Sequence, residues 1–173
     1  AAVYGVTDKV CVETDATDPL NAYALSKLNG EQIMKMYHDL YGISTVSLRY
    51  FNVYGPRQSN TGQYAPVVGI FQKQKEQHSA LTIVGDGKQT RDFVHVSDVA
   101  AANILVSESD ATGVYNVGTG IEYSVNQIAD MISDVQRNIP PRVGEARRSL
   151  ADSSKLQSLG WKPQIKLEDW VNA

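Results

Sequence analysis

The sequence predicts an α/β fold, because segments with the two-residue period of strands alternate with segments that have the 3.6-residue period of helices. Hydrophobic residues make up 42% of the 173 residues and charged residues 20%, a balance that can fill a core and that disfavours disorder. The sequence contains no internal repeat and no low-complexity tract. These observations favour a globular unit of alternating strands and helices.

The first 64 residues predict the end of a sheet domain with one long helix. In that helix Leu25, Leu28 and Met36 lie close to one stripe, and Gly42 is a good C-terminal stop. The stretch after the helix is short and rich in β-branched residues, as strands are. The predicted elements are the tail of a strand at Ala1–Gly5, a polar loop at Val6–Leu20, a helix at Ala22–Leu40, a strand at Ser44–Tyr50 and a loop at Phe51–Gly62.

Residues 65–173 predict a smaller mixed lobe. Gly85-Asp86-Gly87 ends one strand, and Ser124-Val125-Asn126-Gln127 has the S-x-x-Q form of a capping box, which starts a helix. The predicted elements are a helix at Ala65–Gln77, strands at Leu81–Val84 and Phe93–Val96, a helix capped by Ser97 or Asp98 that runs to Ser107, a strand at Gly113–Val117, a helix from the capping box to Val135, a loop or edge strand at Asn138–Leu150, a short helix capped by Asp152 and stopped by Gly160, and a last helix at Leu167–Val171.

Composition and charge exclude several classes of function. The formal charge is 16 − 19 = −3 and the pI is about 5.6, whereas sequence-independent nucleic-acid binders usually carry a basic face. No apolar run approaches the roughly 20 residues that a membrane helix needs. The single cysteine, Cys11, lies in an acidic loop, which predicts an unreactive thiol and a reducing, cytoplasmic compartment. His38, His78 and His95 lack the spacing of metal ligands, so no metal site is predicted.

The strongest local signal for chemistry is Tyr23-Ala24-Leu25-Ser26-Lys27. A tyrosine and a lysine four residues apart share one face of a helix, with Cβ atoms roughly 5–6 Å apart. A cation at that distance stabilises a phenolate, which makes a tyrosine usable as a general base near neutral pH. By itself the Y-x-x-x-K spacing is frequent, and a surface tyrosine packed over a lysine stem has the same pattern.

Further motifs surround this pair in a fixed order. They are Ala1-Ala2-Val3-Tyr4-Gly5, Asn21-Ala22-Tyr23 after Pro19, the run Leu48–Arg57, Gly85-Asp86-Gly87, the run Gln89–Val96, Tyr115-Asn116-Val117-Gly118, Ala151–Lys155 and Leu159-Gly160-Trp161. In this order the set resembles the extended short-chain dehydrogenase/reductases, and within them the UDP-sugar 4-epimerases. The resemblance extends over nearly all of the chain.

The resemblance implies NAD as the cofactor, a UDP-sugar as the substrate and roles for eight residues. Backbone N–H groups at the start of the helix after Tyr64 are further candidates for the phosphates. The implied residues are Tyr23 as catalytic base, Lys27 on the nicotinamide ribose, Tyr50 at the nicotinamide end, Asn52 on the pyrophosphate, Arg91 and Arg142 on the diphosphate and uridine, Glu145 on the ribose hydroxyls, and Ser149 beside the sugar.

The same resemblance implies how the chain is organised. Residues 1–64 would be the end of an NAD-binding Rossmann domain with its catalytic helix, and residues 65–173 mainly a substrate-binding lobe. The Gly-rich loop G-x-x-G-x-x-G of that family is not in the sequence, and its catalytic Ser or Thr would fall just before Ala1. We therefore expect the C-terminal part of a homodimeric 4-epimerase, inactive as an isolated fragment.

Two alternative functions follow from the same motifs. A sugar-nucleotide 4,6-dehydratase is disfavoured by Arg49-Tyr50-Phe51-Asn52, from which the matching region of those relatives usually departs. A non-catalytic nucleotide-sugar-binding protein is disfavoured for the parent because Tyr23 and Lys27 are both present.

The residue aligned with the sugar gate of the family is Ser149, two residues before Ala151-Asp152. In that family a Tyr at this place confines relatives to UDP-glucose and UDP-galactose, whereas a small residue leaves room for an N-acetyl group. The resemblance therefore implies that UDP-N-acetylhexosamines are also accepted. The alternative is that Ser149 only precedes the helix capped by Asp152 and faces solvent.

Overall fold

The computed structural model describes residues 1–62, 65–141 and 146–172 as alternating short strands and helices. A short 3₁₀ turn at Ala2–Tyr4 opens the chain. The strands are β1 Val10–Cys11, β2 Val46–Tyr50, β3 Asn52–Tyr54, β4 Leu81–Val84, β5 Thr90–His95, β6 Gly113–Val117, β7 Glu122–Ser124, β8 Gln136–Ile139 and β9 Leu150–Ala151. The helices are α1 Ala22–Tyr41, α2 Val67–Glu76, α3 Val96–Ser107, α4 Val125–Ile132, α5 Ser154–Gln157 and α6 Leu167–Val171.

Most strand pairs are parallel and join segments that are distant in sequence. The pairs are β1 with β9, β2 with β6, β3 with β5, and β4 with β8. The pair formed by β5 and β7 is antiparallel. Parallel pairing with helical crossovers is the pattern of α/β proteins, so the predicted fold class is confirmed.

Three groups of buried side chains hold these elements together. The first lies between α2, α4, β4 and β5, with Phe71 and Ile128 fully buried at its centre. The second covers the β2–β6 pair and includes Trp161, whose indole N–H donates to the Asp98 carbonyl at 2.9 Å. The third, around Tyr4 and Cys11, packs the beginning of the chain against β9.

Several predicted elements are confirmed with close bounds. Helix α1 begins at Ala22, and Gly42 ends it in the left-handed conformation with φ 67°. Strands β4 and β6 have the predicted bounds. The capping box is also present, because Ser124 accepts from the Gln127 N–H while the Gln127 side chain accepts from the Ser124 N–H.

Other predicted elements are wrong. Ala1–Gly5 is a 3₁₀ turn and not a strand tail, and the predicted loop after Tyr50 contains β3. The N-cap of α3 is His95, whose ring nitrogen accepts from the Ser97 N–H, and not Ser97 or Asp98. The N-cap position of α5 is Ser153, but the capping bond comes from the predicted Asp152, whose side chain accepts from the Ser154 N–H at 2.8 Å.

Helix α1 is largely open to solvent. Ala24 is its one buried position. On the predicted stripe Leu25 and Met36 are 48% and 45% accessible, whereas Leu28 is partly buried against the third group of buried side chains. Among the helices that the structure describes, none combines the length and the apolar character that crossing a membrane requires.

Candidate active site

The first turn of α1 presents Tyr23 beside a cavity. Asn21 is the N-cap: its side-chain oxygen accepts from the Ala24 N–H at 2.9 Å, which fixes the start of the helix two residues before Tyr23. Lys27 lies one turn further on, and its Nζ atom is 5.2 Å from the centroid of the Tyr23 ring. The two side chains therefore share one helix face, with the lysine over the tyrosine ring.

A cavity of about 320 Å³ brings together five of the eight residues singled out from the sequence. Those five are Tyr23, Tyr50, Asn52, Arg91 and Ser149. They come from α1, β2, β3, β5 and the residue before β9, so parallel strands deliver them to one place. Lys27 does not line this cavity. Arg142 and Glu145 lie outside the described residues, as does Tyr64.

A second cavity of about 480 Å³ adjoins the first and shares part of its lining. Tyr23, Tyr50, Asn52 and Arg91 border both spaces. The second space also reaches the start of α2 at Ala65, Pro66 and Val67, and it has an apolar wall from Phe71, Val84, Phe93, Val125 and Ile139. The two cavities together form an elongated site with Arg91 at the junction.

The polar residues at the junction are held by the backbone around them. The Asn52 side chain donates to the Asp92 carbonyl at 2.9 Å, and Arg91 Nη1 donates to the Thr90 carbonyl at 2.8 Å. The Tyr50 hydroxyl donates to Asn103 Oδ1 at 3.0 Å. The side-chain amide of Asn52 and the planar guanidinium of Arg91 are N–H donors fixed at the junction, so they are candidates for binding an anion.

Ser149 is partly buried and bonded through its backbone to both sides of Arg91. Its N–H donates to the Thr90 carbonyl at 3.1 Å, and its carbonyl accepts from the Asp92 N–H at 2.7 Å. This ladder fixes the position of Ser149 on the wall of the first cavity. The serine does not merely face solvent ahead of α5.

Two buried polar residues that support this wall were not identified from the sequence. The fully buried Asp92 accepts four hydrogen bonds, from the Thr119 N–H and hydroxyl and from the Gly120 and Ala151 N–H groups. Burial nevertheless raises the pKa of its carboxyl group. A Cβ at Gly118 would lie 2.6 Å from Asp92 Oδ2, which explains the glycine of that motif.

Asn116 is the other buried support. Its side chain accepts from the Tyr4 hydroxyl at 2.7 Å and donates to the Cys11 and Asp152 carbonyls at 2.9 and 3.1 Å. The signal that could have identified Asn116 is a polar side chain among the apolar residues of β6, since such a group must find partners when buried. The strand of Asp92 also contains Thr90, Arg91 and His95, so it offers no such signal.

The thiol beside the cavity is buried and not activated. Cys11 is 1% exposed, and burial raises the pKa of its thiol, as the sequence predicted. Within residues 1–62, 65–141 and 146–172, no group of three His, Cys, Asp or Glu side chains is arranged to hold a metal ion. Tyr23, on the cavity wall, is the candidate for acid–base chemistry that the sequence predicted.

Comparison with known proteins places this chain in a family. The model of the NAD dependent epimerase/dehydratase family matches residues 1–118. A putative UDP-glucose 4-epimerase of Methanocaldococcus jannaschii is 43% identical over 180 residues, which cover 98% of this chain and 57% of that protein.

Solved structures of 4-epimerases are also similar to this chain. The UDP-N-acetylglucosamine 4-epimerase of Methanobrevibacter ruminantium, in complex with UDP-N-acetylmuramic acid, has a TM-score of 0.95 at 37% identity, covering 99% of this chain and 58% of that one. The UDP-glucose 4-epimerase of Thermus thermophilus in complex with NAD has a TM-score of 0.90 at 34% identity, with the same two coverages. The chain thus spans a little over half the length of the relatives that it matches.

Proposed function

Because the chain belongs to the NAD dependent epimerase/dehydratase family, we propose that it carries the catalytic tyrosine and the substrate-binding part of an NAD-dependent UDP-sugar 4-epimerase. The observation that carries the proposal is the cavity in which Tyr23, Asn52, Arg91 and Ser149 meet. Within this proposal, residues 1–64 end the NAD-binding domain, and residues 65–173 form mainly the substrate lobe. Strands β5, β6 and β9 are exceptions, because they pair with β3, β2 and β1 of the first part.

The elongated site supports a sugar nucleotide as the ligand. We assign the hexose to the first cavity, beside Tyr23 and Ser149, and the nucleoside to the more apolar second cavity. The diphosphate then lies at the junction, where the guanidinium of Arg91 offers a planar set of donors. Arg142 and Glu145 keep their proposed roles on the uridine and its ribose.

The residues at the α1 end fit the nicotinamide ribose of NAD. Lys27 and the Tyr23 hydroxyl share a helix face, so both can bond to ribose hydroxyls, and Tyr50 borders the same space. NAD, when bound, supplies reversible hydride transfer at the sugar C4. Tyr23 removes the proton of the C4 hydroxyl and later returns it, while Lys27 holds the nicotinamide ribose beside this base. Asn52 and Arg91 hold the diphosphate while the sugar turns between its two faces.

The experiment that tests this proposal compares kcat with the affinity for UDP in variants of the full-length protein. Tyr23→Phe should lower kcat by at least about a hundredfold, the scale of general acid–base catalysis. Its affinity for UDP should stay within about twofold, because only the proton acceptor is removed. Tyr41→Phe, on an exposed turn of the same helix, is the matched control and should leave both quantities unchanged. A Tyr23→Phe protein that keeps a tenth or more of the rate would assign the base to another residue.

The substrate range is a finer proposal. Ser149 is small and lies on the hexose cavity wall, which supports acceptance of UDP-N-acetylglucosamine and UDP-N-acetylgalactosamine beside UDP-glucose and UDP-galactose. Ser149→Tyr should cut kcat/KM for the N-acetyl pair at least about tenfold more than for the plain pair, a difference of about 1.4 kcal/mol. Equal losses for both pairs would show that Ser149 does not gate the pocket.

We also propose that the protein self-associates through α1 and acts in the cytoplasm. Exposed apolar side chains follow this helix, which supports helix-to-helix packing between two copies. They are Leu25, Ile33, Met34, Met36, Tyr37, Leu40 and Tyr41. Sedimentation of Ile33→Glu beside the parent tests the association: a smaller species is expected for the variant.

The proposal of the cytoplasm rests on Cys11. This thiol is buried and forms no disulfide, which supports a reducing compartment.

A further inference from the structure

Arg148 lies beside Ser149 on the wall of the hexose cavity and makes a two-pronged ion pair. Its Nε and Nη2 atoms donate to Glu122 Oε2 and Oε1, both at 2.9 Å. The two side chains are 31% and 29% exposed, so water screens the pair less than at an open surface.

The third arm of the guanidinium reaches the neighbouring segment of the cavity wall. Nη1 donates to the Asp8 carbonyl at 2.7 Å, and Thr7 forms an antiparallel backbone bridge with Arg148. Thr7 itself lines the cavity. The chain is anchored before this segment by the buried Tyr4 and after it by the pairing of β1 with β9, whereas Val6 is 62% exposed. Between those two anchors, the polar contacts to Arg148 restrain Thr7 and Asp8.

Glu122 links the same contact to the floor of the site. Its Oε2 atom also accepts from the Thr90 hydroxyl at 2.8 Å. The Thr90 carbonyl in turn accepts from Arg91 Nη1 and from the Ser149 N–H. One network thus joins the outer wall, the gate residue and the phosphate-binding arginine.

We propose that Arg148, held by Glu122, is a positioning residue that clamps the Thr7–Asp8 wall against Ser149 and thereby sets the width of the hexose end of the cavity. This inference rests on the proposed function for the identity of the ligand, although the clamp itself is a property of the fold. A planar fork suits the task, because three directions must be satisfied at once. Loosening this wall should weaken binding of the hexose and leave binding of the nucleotide unchanged, because the nucleotide is bound in the other cavity.

The clamp is tested without any ligand by cleavage after Lys9. This lysine has a 63% exposed side chain next to the clamped segment, and a lysine-specific protease gains no new site from changes at Arg148. Arg148→Ala should speed cleavage of the Lys9–Val10 bond about ten- to a hundredfold, the size expected for losing hydrogen bonds to a charged group. Glu122→Gln is a second, milder variant and should act in the same direction.

Arg147→Ala is the matched control, because the neighbouring arginine pairs with Asp86 at the surface and is 72% exposed. Its cleavage rate after Lys9 should stay at the parent value. Circular dichroism of each variant verifies the fold. Unchanged cleavage in folded Arg148→Ala and Glu122→Gln proteins would overturn the clamp.

Calorimetric titration of the full-length protein then tests the consequence for recognition. Arg148→Ala should weaken UDP-glucose and UDP-N-acetylglucosamine at least about fivefold while UDP binds as before, a difference of about 1 kcal/mol. Equal weakening of UDP and the UDP-sugars would overturn the assignment to the hexose end. Failure of the parent protein to bind any of the three would overturn the proposed function, and the cleavage rates would still decide the clamp.

Discussion

Arg49 and Arg91 both lie in strands, but their surroundings differ. Arg49 is 7% exposed, donates through Nε and Nη2 to both carboxylate oxygens of Glu31, and lies 4.7 Å from the centroid of the Tyr4 ring. Arg91 borders both cavities. A guanidinium buried against a carboxylate stabilises architecture, whereas one on a cavity wall is a candidate for contact with a ligand. Burial therefore separates the two roles where residue type does not.

His95 makes the stability of the fold sensitive to acid. The side chain is 5% exposed, its Nδ1 atom accepts from the Ser97 N–H at 3.2 Å, and its ring packs against Tyr54 and Trp170. Burial lowers the pKa of His95 below its ordinary value of 6.5, and the nearby carboxylate of Asp98 opposes this shift only in part. The unfolded chain therefore binds the proton more readily, and stability falls as the pH drops below about 6.5.

The matching prediction compares the parent with His95→Asn, which keeps an N-cap acceptor without a titrating ring. The free energy of unfolding of the parent should fall more steeply between pH 7 and pH 5, by at most about 1.4 kcal/mol per pH unit. Urea unfolding at the two pH values measures the difference in slope. Parallel slopes would mean that His95 does not titrate in this range.

At the scale of the element, α1 shows how backbone conformation decides the effect of a glycine. Gly30 lies inside the helix and Gly42 follows its end at φ 67°, and an added Cβ would meet nothing within 4 Å at either place. Both positions therefore have room for a methyl group, and they differ only in their backbone dihedral angles. An alanine suits helical angles and is strained in the left-handed region.

We predict opposite signs for the two substitutions. Gly30→Ala should raise the free energy of unfolding by about 0.5–1 kcal/mol, and Gly42→Ala should lower it by about 1–2 kcal/mol. Gly42→Asn, which tolerates the left-handed region, should lose less than the alanine. Thermal unfolding measures all three, and a shared sign for the two alanines would contradict the role of φ.

The elements that could be predicted from the sequence are those with a local signal. Helix α1 has a long periodic pattern and a glycine stop, and α4 has a capping box, so both were located. Strands β3 and β7 were missed because each is three residues long and is defined by pairing with β5. No pattern within three residues reports a partner some thirty or forty positions away.

At the scale of the whole molecule, the residues of the candidate site also divide into those with a local sequence signal and those defined by distant contacts. Tyr23, Asn52 and Arg91 could be selected because motifs carry them. Arg148 and Glu122 could not, since their importance arises from a contact between two segments that have no sequence relation. The motifs thus selected candidates for chemistry, whereas the contact between Arg148 and Glu122 became visible only in the structure.

Asn116 ties distant parts of the chain together, and Cys11 can report its loss. Asn116→Ala leaves the Tyr4 hydroxyl and the Cys11 carbonyl without their partner and should lower the free energy of unfolding by about 2–4 kcal/mol. The buried Cys11 thiol should then react with a thiol reagent at least about tenfold faster. Asn138→Ala, at an exposed asparagine, is the control. Unaltered labelling in the Asn116 variant would assign the anchoring to other contacts.

The parallel pairing of β1 with β9 has a consequence for synthesis on the ribosome. Asp8 and Arg148 are 140 residues apart, so one wall of the cavity emerges long before the other. At the usual 5–20 residues per second, the early wall waits roughly 7–28 s for its partner. During that interval Cys11 and the edge of β1 are uncovered, and the cavity does not yet exist. On the proposed function, a sugar nucleotide should therefore stabilise only chains whose translation has passed Ala151, and a transcript truncated earlier should yield a protein that the ligand cannot rescue.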